Sequence, residues 1–255
     1  ESLIEVALAP CSPFSVTREL MRDTASLAKQ CGCRLHTHLA ETHDEDRFCV
    51  ETFGLRPLDY LDDCGWLHDK TWLAHGIHFD DSEIARLGAA GVGVSHCPTS
   101  NMVLASGHCR TLELEKAGVA VGLGVDGSAS NDNSNLMEGV RHALMMNRLI
   151  YGASAVTHLD ALRWATEGSA RCLGREKLGK IAPGYQADLA MFTLDELRFS
   201  GAGDPLAALV LCGAHRADRV MIRGRWTVED GMPVGIDVAR LRHDHGAVAK
   251  LFAES

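Results

Sequence analysis

Leu35-His36-Thr37-His38-Leu39-Ala40-Glu41 is the stretch of sequence from which the fold can be inferred. It predicts a short strand, and because alternate side chains of a strand point to opposite faces, His36 and His38 share one face. Glu41 comes three positions after His38, where the chain has left the strand and turned over its end. Imidazole nitrogens and a carboxylate at a strand end suit a metal ion and the proton transfers of its water. A polar surface strand would show the same pattern, and this segment alone does not decide between the two interpretations.

Predicted strands and helices alternate on both sides of this stretch. Further strands are expected at residues 5–9, 70–75, 92–96 and 119–126, each nearly continuous in apolar residues. This alternation is typical of a parallel sheet covered by helices. Polar residues gather where the strands end, at Cys11, His38 with Glu41, His75, His96 and Asp126. In a TIM-type (β/α)8 barrel those ends form the active-site face. A doubly wound open sheet is the alternative, but no glycine-rich nucleotide fingerprint follows any strand, and we favour the barrel.

The strand count predicts how much of a barrel the chain contains. Five predicted strands precede residue 126, whereas a (β/α)8 barrel needs eight. We therefore expect residues 1–178 to be the C-terminal part of a barrel, about strands 4–8, in a longer protein. Valine- and aromatic-rich segments with tight turns, such as residues 220–228, predict a small β-subdomain over residues 179–255. A helix from about Asp237 to Phe252 is expected to close it.

Composition limits the classes of partner. The chain has 255 residues and a net charge of −9, which argues against nucleic acid or an anionic membrane as the main partner. No apolar stretch is long enough for a membrane span, and no signal peptide is recognisable. The nine cysteines are scattered without a C-x-x-C pair, so neither a disulfide framework nor a cysteine zinc site is predicted. We expect a cytoplasmic protein.

Four polar strand ends form a pattern in the order His38-x-x-Glu41, Ala74-His75-Gly76, Ser95-His96-Cys97-Pro98-Thr99-Ser100-Asn101 and Gly124-Val125-Asp126-Gly127. Each alone is a weak signal, because a single buried histidine is more often a core residue than a ligand. Asp126 is the most informative, since a carboxylate at a buried strand end requires a cation, a hydrogen-bond network or a catalytic task. All four motifs in this order, each at a strand end, are hard to obtain by chance.

In these motifs the sequence resembles the amidohydrolase superfamily, specifically its branch of cytosolic aminohydrolases and chlorohydrolases. The resemblance extends over nearly the whole chain, including residues 179–189. It implies that His38 and Asp126 are metal ligands, that Asp126 is also the base, that His75 hydrogen-bonds the reactive water and that Glu41 carries the proton. It further implies that Glu41 and His75 contact the substrate, and that His96 and Asn101 shape the substrate site. His36 is given a packing role.

The sequence departs from the family pattern at two places. The H-x-H metal pair of the first barrel strand is absent, and we expect it upstream of Glu1. His36 and His38 are not that pair, because too few strands would then remain before Asp126. Cys11 stands where many relatives have a histidine, either as a small buried thiol or as a wall of the substrate site. The segment around Cys11 resembles the 8-oxoguanine deaminase group of the family.

The resemblance implies one divalent metal ion. Zinc is the leading expectation, and Fe²⁺ and Mn²⁺ are also compatible with histidine and aspartate ligands. The implied reaction is hydrolytic deamination of an aminated, purine-like heterocycle with release of ammonia, with 8-oxoguanine to urate as the leading reaction. Alternatives on the same site are a triazine chloro- or aminohydrolase, a cyclic amidase, a guanine deaminase or an S-adenosylhomocysteine deaminase. A non-catalytic barrel is a further alternative. A homo-oligomer is expected from the family.

Overall fold

The computed structural model describes residues 4–213 and 216–254 and contains a sheet of five parallel strands. The strands lie side by side in chain order: β1 (Ala7–Leu8), β2 (Arg34–Leu39), β3 (Thr71–His75), β4 (Gly93–His96) and β5 (Ala120–Leu123). Helical connections join each strand to the next. Parallel strands in sequential order with helical crossovers are the arrangement of consecutive strands in a β/α barrel.

The strand register brings the polar strand ends to one edge of the sheet. His38 pairs with Ala74, Leu39 pairs with His75, and His96 pairs with Leu123. Along β2 the residues Leu35, Thr37 and Leu39 are buried against the helices, while the two histidines point to the opposite face. The alternation predicted for this stretch is therefore present.

Helices cover the sheet on the side of those buried residues. They are α1 (Arg18–Cys31), α2 (His43–Phe53), α3 (Pro57–Asp63), α4 (Asp81–Ala90), α5 (Pro98–Val103), α6 (Thr111–Lys116), α7 (Leu136–Tyr151), α8 (His158–Arg163) and α9 (Ser169–Cys172). A π-helical turn, Trp164–Gly168, joins α8 to α9. Thr17 caps α1, and the capping box of Asp80 and Glu83 begins α4.

Two features differ from the sequence-based expectations. The short helix α5 was not predicted, since its Thr-Ser-Asn run has low helix propensity; it begins at Pro98, which favours a first helical turn. The strand expected over residues 119–126 ends at Leu123. Asp126 lies in the loop that follows, because its φ of 63° cannot continue a strand.

The main core lies between the parallel sheet and its helices, around Tyr60, Trp66 and Trp164, which are fully buried. The π-helical turn packs closely on β5. A Cβ atom at Gly168 would lie 1.9 Å from the carbonyl oxygen of Val121, so only glycine permits this contact.

A second sheet is antiparallel and has the order β6 (Leu189–Met191), β7 (Arg219–Ile222), β8 (Arg225–Glu229) and β9 (Met232–Pro233). It is accompanied by α10 (Pro205–Leu211) and α11 (Val238–Ala253). Val210 of α10 is fully buried in the main core and attaches this part to the barrel helices. The predicted division at residues 178 and 179 stays a prediction, and its outer bounds, residues 1 and 255, lie outside the described residues. Over residues 4–213 and 216–254, no helix combines the length and apolarity that a membrane crossing requires.

Candidate active site

Three residues at the strand ends have left-handed backbone conformations. The φ angles are 53° at Ala40, 69° at His75 and 63° at Asp126. A residue with a Cβ atom pays about 1–2 kcal/mol for this conformation. Such strain is concentrated at sites whose geometry the surrounding structure holds in place. Here the three turns direct the polar side chains that follow β2, β3 and β5 towards one another.

His38, His75 and Asp126 form a group that could hold a metal ion. One ligand atom from each lies within 4.8 Å of the others. His38 Nε2 is 3.7 Å from Asp126 Oδ1, and His75 Nε2 is 3.9 Å from Asp126 Oδ2. Two ligands of a tetrahedral metal at bond lengths near 2.1 Å lie about 3.4 Å apart, so the three atoms need to move little to share an ion. The donor set, imidazole and carboxylate, suits zinc.

His38 is oriented for this role by the loop after β1. Its Nδ1–H donates to the carbonyl oxygen of Cys11 at 2.6 Å, which leaves the Nε2 lone pair free on the side of Asp126. Without metal, the carboxylate of Asp126 raises the pKa of His38 to about 9, against the effect of burial. The backbone of Cys11 therefore fixes the imidazole, while its thiol lies 4.0 Å from the same nitrogen.

Asp126 is held by two serines that the sequence did not single out. The hydroxyl of Ser100 donates to Asp126 Oδ2 at 2.6 Å, and the Ser130 hydroxyl lies 3.0 Å from the same oxygen. His38 and the Ser100 hydrogen bond hold the pKa of Asp126 well below its usual range. The carboxylate is therefore ionised, with Oδ1 directed to His38. Ser100 lies in α5 within the third motif, but a serine hydroxyl gives no sequence signal of the partner that it binds, so only the fold reveals these contacts.

His75 is almost fully buried and is fixed from behind. Its Nδ1–H donates to Asn101 Oδ1 at 2.9 Å, which leaves Nε2 facing the cluster. The Asn101 amide nitrogen in turn lies 3.5 Å from Nδ1 of His96. Burial lowers the pKa of His96 to about 3, so this histidine is neutral and its Nδ1 can accept. His96 has no exposed surface. The structure thus places Asn101 next to the cluster and His96 one layer behind it.

Glu41 lies on the open side of the cluster. Its Oε2 is 3.6 Å from His75 Nε2, and its Oε1 accepts a hydrogen bond from the Ser106 hydroxyl at 3.3 Å. The side chain is 23% exposed, against 1% for His75, so it can meet both solvent and the buried imidazole.

The remaining predicted residues lie at the margin. His36 stacks on Trp72, with ring centroids 4.6 Å apart, and its Nδ1 lies 3.0 Å from the carbonyl oxygen of Trp72. It is absent from the metal-binding group, in keeping with a packing role. Cys11 is exposed beside His38. The histidine pair expected upstream of Glu1 stays a prediction.

Comparison with known proteins agrees with this geometry. The sequence model of the amidohydrolase family matches residues 1–227. The chain belongs to the amidohydrolase family. It is 62% identical over 246 residues to the 8-oxoguanine deaminase of Pseudomonas aeruginosa, a match that covers 96% of this chain and 55% of that protein. The resemblance inferred from the motifs is therefore confirmed.

Two solved amidohydrolase-type structures support the fold. An adenosine deaminase from Xanthomonas campestris with bound zinc superposes with a TM-score of 0.95 at 31% identity, covering 100% of this chain and 59% of that one. An atrazine chlorohydrolase from Arthrobacter aurescens complexed with zinc gives 0.89 at 34% identity, covering 94% and 54%. The predicted barrel-type fold with a small β-sheet is confirmed. The chain spans a little over half the length of these relatives.

Proposed function

We propose that the whole protein is a metal-dependent aminohydrolase that deaminates a purine-like heterocycle, with 8-oxoguanine as the preferred substrate. The observation that carries the proposal is the convergence of His38, His75 and Asp126 within ligand distance, with Glu41 on the open side. Support for the substrate comes from the 62% identity to an 8-oxoguanine deaminase. In the overall reaction, a ring carbon bearing an NH2 group reacts with water to give a ring carbonyl and ammonia.

In this proposal His38 and Asp126 would be two of the ligands of one divalent metal ion, with zinc as the leading expectation. When bound, the metal supplies a water activated for nucleophilic attack. Asp126 would accept the proton that this water loses, and the Ser100 hydroxyl, which donates to Oδ2, orients the carboxylate for this role. His75 presents Nε2 to the attacking oxygen, since its Nδ1 is engaged by Asn101.

Glu41 supplies the other half of the proton transfer. Its carboxyl group protonates the ring nitrogen next to the attacked carbon, so negative charge does not build up on the heterocycle. Glu41 Oε2 lies 3.6 Å from His75 Nε2, a short distance that allows Glu41 to regain a proton from the cluster. Cys11, exposed next to His38, would contact the substrate as part of the wall.

A triazine hydrolase is the second candidate, because the atrazine chlorohydrolase structure superposes closely. The two are separated by assaying the purified, zinc-loaded protein on 8-oxoguanine, guanine, adenosine, a pterin and an aminated and a chlorinated triazine. We expect ammonia release with the highest kcat/KM on 8-oxoguanine. Chloride release from the chlorotriazine without ammonia from any purine would instead support the triazine hydrolase. Light scattering of the same sample tests the predicted homo-oligomer.

A further inference from the structure

A buried carboxylate lies directly beneath the turn that carries Glu41. Glu45 of α2 is 2% exposed, and its two oxygens accept hydrogen bonds from consecutive backbone amides. Oε1 accepts from the N–H of Ala40 at 3.0 Å, and Oε2 accepts from the N–H of Glu41 at 2.9 Å. Burial raises the pKa of Glu45 to about 7 in spite of these bonds. A carboxylate is costly to keep in such a place, so its contacts merit a functional explanation.

Comparison with two other helices of the chain shows that this contact is unusual. In a capping box the acidic side chain at the third helical position bonds the backbone N–H of the N-cap residue. Glu83 accepts this bond from the N–H of Asp80 in α4, and Asp160 accepts it from the N–H of Thr157 in α8. Glu45 occupies the same third position in α2, where Thr42 is the N-cap residue. Its carboxylate instead bonds the two residues before Thr42, one of which is Glu41.

The turn held in this way is strained. Ala40 has a φ of 53°, a conformation unfavourable for alanine by about 1–2 kcal/mol. The N–H groups of Ala40 and of the next residue, Glu41, both donate to the same carboxylate. The carbonyl oxygen of Ala40 accepts from the N–H groups of Ile77 and His78 at 2.8 and 2.9 Å, so the turn is also held from its other side. Without the buried carboxylate, the N–H groups of Ala40 and Glu41 lose their partners and the Glu41 side chain is free to shift. Glu41 directly follows this turn, and its Oε2 lies 3.6 Å from His75 Nε2.

We propose that Glu45 is a positioning residue for Glu41: through the two backbone hydrogen bonds it holds the left-handed turn at Ala40 and so keeps the Glu41 carboxylate against His75. The proposal rests on the proton-transfer role of Glu41 in the proposed function. It adds a residue that touches neither metal nor substrate. A displacement of about 1 Å in a reacting group can cost about 10²-fold in rate, so the effect of losing Glu45 is measurable.

The first test compares Glu45→Gln with Glu83→Gln in the zinc-loaded protein. Glutamine keeps the shape but offers one accepting oxygen, so one N–H of the turn meets an NH2 group. We expect kcat for ammonia release to fall about 10- to 100-fold in Glu45→Gln, with KM and zinc content within threefold of wild type. Glu83 has the same helix position and similar burial, and it also pairs with Arg56. Glu83→Gln is therefore at least as disruptive to folding, yet should keep kcat per zinc within twofold.

A second test asks whether Glu45 acts through Glu41. In a Glu41→Gln background, adding Glu45→Gln should change kcat by less than twofold. If the two losses instead multiplied, Glu45 would act by another route and the proposal would be overturned. Equal losses of kcat in Glu45→Gln and Glu83→Gln would likewise reduce Glu45 to a structural cap.

Hydrogen exchange provides a readout that needs no activity. The amides of Ala40 and Glu41 should exchange faster in Glu45→Gln than in wild type, while Glu83→Gln leaves them protected. Unchanged protection would contradict the positioning role. If the wild-type protein released no ammonia from any substrate, the proposed function would fail, and the exchange result would still show whether Glu45 holds the turn.

Discussion

At the scale of single residues, His38 has to exchange a proton for a metal ion. In the metal-free protein Asp126 raises the pKa of His38 to about 9. A histidine whose pKa is raised by folding stabilises the fold fully below its unfolded pKa, near 6.5, and this contribution is lost as the pH rises through 9. The metal-free protein should therefore lose stability over this interval.

This pH dependence can be measured by urea denaturation in the presence of a chelator. We expect the free energy of unfolding of the wild-type protein to fall between pH 6.5 and 9. His38→Gln should lack this part of the decrease in unfolding free energy, because glutamine does not titrate in this pH interval. His43→Gln is the control, since His43 is largely exposed, with a side-chain exposure of 74%. A His38→Gln curve parallel to that of wild type would show that the ion pair with Asp126 does not form.

Substitutions of Asp126 and of Glu41 are expected to have different effects on zinc content and activity. Asp126→Asn should lower both zinc content and activity, because the amide is a poor ligand and cannot accept the proton. If Asp126→Asn kept activity within tenfold of wild type, the assignment of the base would be wrong.

Glu41→Gln should keep the zinc while kcat falls by about 10²–10⁴-fold, the usual contribution of a positioned acid or base. Zinc is measured by metal analysis alongside ammonia release. Glu51→Gln, on the exposed face of α2, should change neither quantity. Loss of zinc in Glu41→Gln would make Glu41 a ligand instead of a proton carrier.

At the scale of elements, the turn after β3 needs a glycine. Gly76 has a φ of 59°, and a Cβ atom there would lie 2.8 Å from Cγ1 of Val94 on the neighbouring strand β4. Gly76→Ala therefore adds a clash to the conformational strain and should destabilise the fold by about 2–4 kcal/mol, the sum of a left-handed alanine and overpacking. It should also lower kcat, because His75 is the preceding residue.

The Gly54→Ala variant separates the conformational strain from the steric clash. Gly54 ends α2 with a φ of 70°, and no atom lies within 4 Å of the Cβ that would be added. This variant should show only the conformational cost of about 1 kcal/mol. Thermal unfolding and kcat of both variants provide the measurement. Equal losses of stability in Gly76→Ala and Gly54→Ala would mean that Val94 on β4 shifts away from the added methyl group without loss of stability.

At the scale of the whole molecule, α10 links the antiparallel sheet to the barrel helices. Val210 is fully buried in the main core, whereas Leu206 on the same helix is 46% exposed. Val210→Ala should cost about 1–3 kcal/mol from lost burial and a residual cavity, and Leu206→Ala much less. Because Val210 belongs to the shared core, we expect one cooperative unfolding transition. Two separated transitions, with only the second shifted by Val210→Ala, would show that the predicted β-subdomain unfolds on its own.

The sequence by itself determined most of the elements and the residues that meet at the strand ends. Apolar runs ending in polar residues predicted β2 to β5. The motif order identified His38, His75 and Asp126, which the fold brings together. These signals are local, because strand period, capping and motif spacing act over a few residues.

Only the tertiary structure decided how those groups are held. Ser100 and Asn101 are distant in sequence from Asp126 and His75, which they hold, and the Thr42-x-x-Glu45 pattern predicts a helix cap and not a bond to Glu41. The same is true of His96, whose strand-end position suggested a substrate contact and whose full burial places it behind Asn101. The physical reason is that an orienting hydrogen bond depends on where separate strand ends and loops meet, and that meeting is a property of the packed fold alone.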